Sequence, residues 1–150
     1  MFSDHINVKG DVHIEIYDSE SGIKKHQFDI NNLIVSAGKQ WIAGRLASSG
    51  TSITHMAIGT NTSTPTADNT SLLSQLGSRV AITSNVYVSG NNFITINASF
   101  PGSTYASSGI TEAGLFTSST GATAICRTTF GAFAILPTDT IAITWKLSIL

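Results

Sequence analysis

Charge is what this sequence has least of. From Ala47 to Leu150 the charged residues are Asp68, Arg79, Glu112, Arg127, Asp139 and Lys146, and Thr, Ser and Asn fill most other polar positions. The whole chain is 11% charged, against about 25% in an ordinary soluble protein. Such a surface costs little to desolvate, so another protein covers it more easily than it would a densely charged one. A net charge of -1 gives no basic face of the kind nucleic-acid binding needs, and Lys24-Lys25 is too short to make one. Cysteine is nearly absent: Cys126 stands alone, which excludes an internal disulfide and reads as a buried apolar thiol, in keeping with synthesis in a reducing cytoplasm. No apolar run approaches the roughly 18 residues of a membrane-crossing helix. The opening Met1-Phe2-Ser3-Asp4-His5 lacks the basic-then-apolar order of a secretory signal, so none is expected. Neither nucleic acid nor a membrane is an expected partner.

The groups that carry chemistry are also missing as constellations. His5, His13, His26 and His55 stand singly, without a second ligand at metal spacing. There is no Gly-x-Ser-x-Gly, no histidine after His55 to complete a compact triad, and no glycine-rich phosphate loop. No catalytic residue, metal or cofactor is therefore assigned. Asp68 and Asp139 fall in loop or turn contexts. Glu112 differs, because alternation puts Thr111, Ala113 and Leu115 on one face and Glu112, Gly114 and Phe116 on the other. That predicts a half-buried carboxylate near Arg79 or Arg127, in a structural ion pair or a hydrogen bond to a turn rather than in catalysis. Trp41, Tyr87, Tyr105 and Trp145 could together offer a sugar-stacking face, although Trp41 and Trp145 fall on apolar faces that read as core.

What is present is a two-residue beat. Val12, Ile14 and Ile16 alternate with Asp11, His13, Glu15 and Tyr17, and Asp18-Ser19-Glu20-Ser21-Gly22 turns the chain into a returning strand from Ile23 to Ile30. Over residues 36–47 the period changes: Trp41, Ile42 and Leu46 share a helical face, Ser36 is the expected N-cap, and Lys39 and Arg45 point to solvent. Further strands are predicted at Ile53 to Ile58, Arg79 to Thr83, Asn85 to Val88, Phe93 to Phe100, Thr111 to Phe116, Ala122 to Phe130 and Thr138 to Ile149. The last puts Ile141, Ile143, Trp145, Leu147 and Ile149 inward, and Leu72, Leu73 and Leu76 suggest a short helical turn. At 150 residues a fold buries roughly 68–70% of its unfolded surface, enough for one core without metals or disulfides. The expected architecture is one mainly β domain over 1–150, an antiparallel β-sandwich or jelly-roll-like fold with one short amphipathic helix. Residues 1–7 form an expected flexible arm and 60–70 a long surface loop, both removable without unfolding.

Three segments carry a resemblance: Asn32-Leu33-Ile34-Val35-Ser36-Ala37-Gly38-Lys39, Ile53-Thr54-His55-Met56-Ala57-Ile58-Gly59-Thr60, and Ile110-Thr111-Glu112-Ala113-Gly114-Leu115-Phe116, followed by the closing Thr140-Ile141-Ala142-Ile143-Thr144-Trp145. Together they resemble a family of small structural proteins of tailed bacteriophages, and the resemblance runs over nearly the whole chain. It implies a non-enzymatic virion component, synthesised in the bacterial host cytoplasm, that assembles with copies of itself and with major capsid, neck or tail proteins. The absence of a long fibrous repeat favours a compact multi-copy capsid decoration, cement or collar piece. A tail or fibre-junction protein and a carbohydrate-binding sandwich at the virion surface are the alternatives.

Overall fold

The computed structural model describes residues 6–121 and 123–150. Residues 1–5 of the expected arm therefore lie outside the described residues. Asn7 is not loose: its N–H donates to the Leu150 carbonyl at 3.0 Å, and the Leu150 N–H returns the bond at 2.7 Å.

The alternation in the sequence becomes a mainly β fold. β1 (Val8–Asp18) and β2 (Lys24–Ile34) form the first hairpin. Its turn is fixed by Asp18, whose side-chain Oδ1 accepts the Ser21 N–H at 2.8 Å and whose carbonyl accepts the Gly22 N–H at 2.9 Å. Gly22 takes φ 69°, a left-handed conformation that glycine adopts without steric cost. After α1 (Ser36–Leu46) come β3 (His55–Gly59), β4 (Val80–Ala81), β5 (Ser84–Tyr87), β6 (Phe93–Pro101), the single-turn α2 (Gly102–Tyr105), β7 (Ser107–Phe116), β8 (Cys126–Ile135) and β9 (Asp139–Ile149). Every strand pairing is antiparallel.

The strands lie in the order β4-β3-β7-β8-β2-β1-β9-β6-β5. Long ladders build two halves, β2-β1-β9-β6-β5 and β4-β3-β7-β8. Among the described residues their ladders join where the end of β2 meets the start of β8, through Leu33 opposite Arg127 and Ile34 opposite Cys126. A twisted sheet hinged at so short a ladder curls on itself, so the result is a continuous half-barrel whose halves face each other across one core. Val12, Ile14, Ile143 and Trp145 of the first half share that core with Met56, Ile58, Ala113 and Leu115 of the second. Cys126 is buried there, where desolvation pushes its thiol up to about 12 and the neighbouring Asn32 amide pulls it back only partly.

Several expectations need correction. In α1 the N-cap is Val35 without a side-chain cap. Trp41 and Ile42 pack partly against the core, but Leu46 is 78% exposed, because the helix ends beyond the sheet it covers. Ile149 is 48% exposed, since the inward row of β9 outruns the opposing half after Leu147. Residues 71–76 form bends and a bridge from Gln75 to Gly59 instead of a helical turn. The expected strand from Arg79 to Thr83 shrinks to the two residues of β4, β7 starts four residues before the expected Thr111, and the strand expected from Ala122 to Phe130 is displaced to Cys126–Ile135, Ala122 itself lying outside the described residues.

Candidate functional site

β7 is covered on both faces, and this builds the most distinctive site in the molecule. One face joins the main core. The other lies under segment 60–75 and the residues just before β8, where Ala57, Leu72, Phe116 and Ala124 form a second apolar cluster. Glu112 and Arg127 meet beneath this cover, both 0% exposed. Arg127 Nε donates to Glu112 Oε2 at 2.9 Å, and Nη2 lies 2.9 Å from the same oxygen.

A buried pair gains more than it loses only when its remaining donors and acceptors are also satisfied, and here the covering loop satisfies them. Arg127 Nη1 donates to the Ser63 carbonyl and to Asn69 Oδ1, both at 3.1 Å, and Nη2 donates to Asn61 Oδ1 at 3.3 Å. Glu112 Oε1 accepts the Ser74 N–H at 2.7 Å and Oε2 accepts the Leu73 N–H at 3.2 Å. Thr111 Oγ1 adds a bond to the Asn61 carbonyl at 3.0 Å. Space for the carboxylate comes from Gly59: a Cβ there would stand 2.4 Å from the Ser74 carbonyl oxygen and 2.6 Å from Glu112 Oε1.

The predicted ion pair thus forms between Glu112 and Arg127, fully rather than half buried, because the loop roofs it. Arg79 goes elsewhere, with its guanidinium carbon 3.5 Å from the Phe116 ring centroid and Nη1 donating to the Ser118 carbonyl at 3.0 Å. The loop over 60–70 runs on the surface as its composition predicts, but it is tied down. Removing it would leave Arg127 Nη1 without either of its acceptors, with Glu112 alone still paired to the guanidinium, so its deletion should cost stability where the sequence reading expected none. The sequence reading missed this anchoring role of Asn61, Ser63, Asn69 and Ser74. Asn61 and Asn69, amides within an otherwise short-chained Thr/Ser/Pro loop, were its visible signal.

Chemically the site is closed. Each carboxylate oxygen of Glu112 already accepts a protein hydrogen bond, and the side chain is fully buried. Among the described residues no His, Cys, Asp and Glu group is placed to hold a metal ion. Among the same residues no helix is long and apolar enough to cross a membrane.

The charged part of the chain lies on the outer face of β1 and β2. His13 stands opposite Asp29 in the ladder, not opposite His26. Its Nδ1 lies 2.7 Å from Asp29 Oδ1 and its Nε2 3.2 Å from Glu15 Oε1. The Asp29 bond, then the Glu15 bond, raise the His13 pKa. The stabilisation is therefore complete below the ordinary histidine value of about 6.5 and is lost as pH rises through the higher folded value. It is small, since these side chains are largely solvated. In an NMR titration His13 should show a midpoint above 6.5 that Asp29→Asn lowers; an unchanged midpoint in that variant would contradict the assignment. Nearby, Lys25 falls in the register shift of the first hairpin and its ammonium binds Asp139. Burial pushes the Asp139 carboxyl up, but the Lys25 ammonium and the Leu136 N–H outweigh it and hold the group below its usual range.

Of the four aromatics considered for stacking, Trp145 and Tyr105 are buried. Trp41 and Tyr87 instead line a groove between α1 and the ends of β6 and β9, together with Leu46, Asn92, Phe93 and Ile149. Compared with protein-family models, curated proteins and solved structures, the chain finds no match.

Proposed function

We propose that this chain is a non-enzymatic structural protein of a tailed-bacteriophage particle, a multi-copy capsid decoration, cement or collar component that binds neighbouring virion proteins. The observation that carries the reading is the fate of Glu112. It is the carboxylate that the sequence places best for chemistry, and its polar bonds go to the Leu73 and Ser74 N–H groups and to Arg127, which in turn holds the 60–70 loop. Two of the motifs behind the family resemblance meet at this lock, where Gly59 makes room for the carboxylate that Glu112 supplies, and in a third Gly38 lets α1 approach the backbone of Ile125, just before β8. These contacts fix a surface loop whose one charged residue is Asp68.

Binding works by burial. A contact of about 800 Å² per partner with a few buried anchors holds one subunit, and repetition around a symmetric particle adds avidity. Peptide mass spectrometry of gradient-purified particles from the strain that carries the gene tests the proposal. Multi-copy recovery of this chain with the heads or tails supports it; its absence from particles while abundant in the lysate overturns it.

A second reading has one observation in its favour. Trp41 and Tyr87 share their groove with Asn91 and Asn92, and aromatic faces beside amides suit a sugar ring. Saturable glycan binding that disappears in Tyr87→Ala would support it.

A further inference from the structure

We propose that two copies of this chain pair edge to edge through β5, antiparallel, and so extend the sheet across a two-fold axis. β5 is the terminal strand of the order, with β6 on one side only. Its other side offers unpaired backbone N–H and C=O groups, a template for any extended chain. Shortness blunts such an edge, and β5 has four residues; proteins that keep an edge free also place Lys or Pro on it. This chain does neither: from Val80 to Thr111 there is no charged residue, and the proline in that stretch, Pro101, sits at the far end of β6. On the open edge Val86, Tyr87 and Val88 are 46%, 63% and 56% exposed.

The absence of charge argues for a second copy as the occupant. At a two-fold axis every group meets its own image, so any charge near the axis repels itself. Val80 to Thr111 is the longest uncharged stretch of the sequence, and it is the stretch that supplies this edge. At the opposite edge, β4 is two residues long and follows Arg79 directly. Four residues of strand pairing alone fall short of the roughly 800 Å² per partner that a stable contact needs. The apolar groove supplies the rest. It has a volume of about 760 Å³ and opens beside β5, with Tyr87 belonging to both surfaces, exposed Leu46 and Ile149 on its rim, and Arg45 also in its lining, on the α1 side, away from β5 in sequence. A copy laid along β5 covers strand edge and groove rim together.

The inference names one self-contact of the proposed virion component and rests on that reading only for where the dimer is used. It is tested by sedimentation equilibrium of the full chain beside two variants. The wild type should be a dimer. Val86→Lys, which puts like charges at the axis, should weaken dimerisation at least about tenfold, with an unchanged circular dichroism spectrum showing that the fold survives. Leu136→Lys, at a similarly exposed apolar position away from this edge, should leave the dimer intact. A wild type that stays monomeric at the highest reachable concentration overturns the proposal, as does a dimer that survives Val86→Lys. A dimer lost in Val86→Lys, in a protein absent from particles, keeps the pairing and removes the virion role.

Discussion

Arg127→Met should destabilise the protein by about 3–5 kcal/mol, the cost of leaving one member of a buried ion pair unpaired. At about 2–4 °C per kcal/mol for a chain of this size, the melting temperature falls by roughly 10 °C. The loss has two sources: the Glu112 carboxylate keeps its burial without its counter-charge, and Ser63, Asn61 and Asn69 lose the guanidinium that holds them. Arg127→Lys keeps the charge but not the planar fork that reaches Glu112 and three loop residues at once, so it should fall between wild type and Arg127→Met. Replacing both charges, as in Glu112→Leu with Arg127→Met, is often neutral for buried pairs elsewhere. Here it should not restore stability, because the N–H groups of Leu73 and Ser74 would still lack their acceptor. Thermal melts measure the loss, and hydrogen exchange locates it: amides of 60–75 should lose protection before those of β1 and β9. A double variant as stable as wild type would show that the loop does not depend on the pair.

The second large effect contrasts two glycines of one helix. By intrinsic propensity, Ala in place of a helical glycine gains about 1 kcal/mol. At Gly44, where the nearest atom to a new Cβ is the Ser49 carbonyl oxygen at 3.8 Å, that gain should be realised. At Gly38 the same Cβ would lie 2.0 Å from the Ile125 carbonyl oxygen, a backbone atom that cannot swing aside. The steric penalty wins, and Gly38→Ala should cost about 2–3 kcal/mol net. Chemical denaturation of the two variants, with slopes compared, checks the opposite signs. A stable Gly38→Ala protein would mean that α1 sits less closely on the sheet than described.

Much of the fold was legible because its signals are local. The alternation of Val12, Ile14 and Ile16, and that of Ile141, Ile143, Trp145 and Leu147, marked strands whose inward rows are buried. The change of period after Ser36 marked α1. What stayed hidden depends on distant parts of the chain. Leu46 and Ile149 follow the inward pattern but extend past the opposing layer, and no local signal marks where a layer ends. The run from Ile110 to Phe116 is buried on both faces only because a polar loop folds over it, so its alternation alone pointed to one buried face.

The site was half legible for the same reason. Glu112 and Arg127, an acid and a base isolated within apolar strands, invited pairing on sequence grounds. Arg79 met the same description, yet it stacks on Phe116. Register separates the two: Arg127 stands opposite Gly114, one same-face position from Glu112. The backbone partners at Ser63, Leu73 and Ser74 have no sequence signature, since any residue supplies a carbonyl or an amide.

The central claim is that this lock and the uncharged surface serve attachment to a virion. The most direct test mixes the purified protein with empty capsids and with isolated tails from the strain that carries its gene, and measures what sediments with each. Saturable, stoichiometric co-sedimentation with one of them, lost in a particle-free control, is the predicted result. A folded protein that stays in the supernatant with both would contradict the claim.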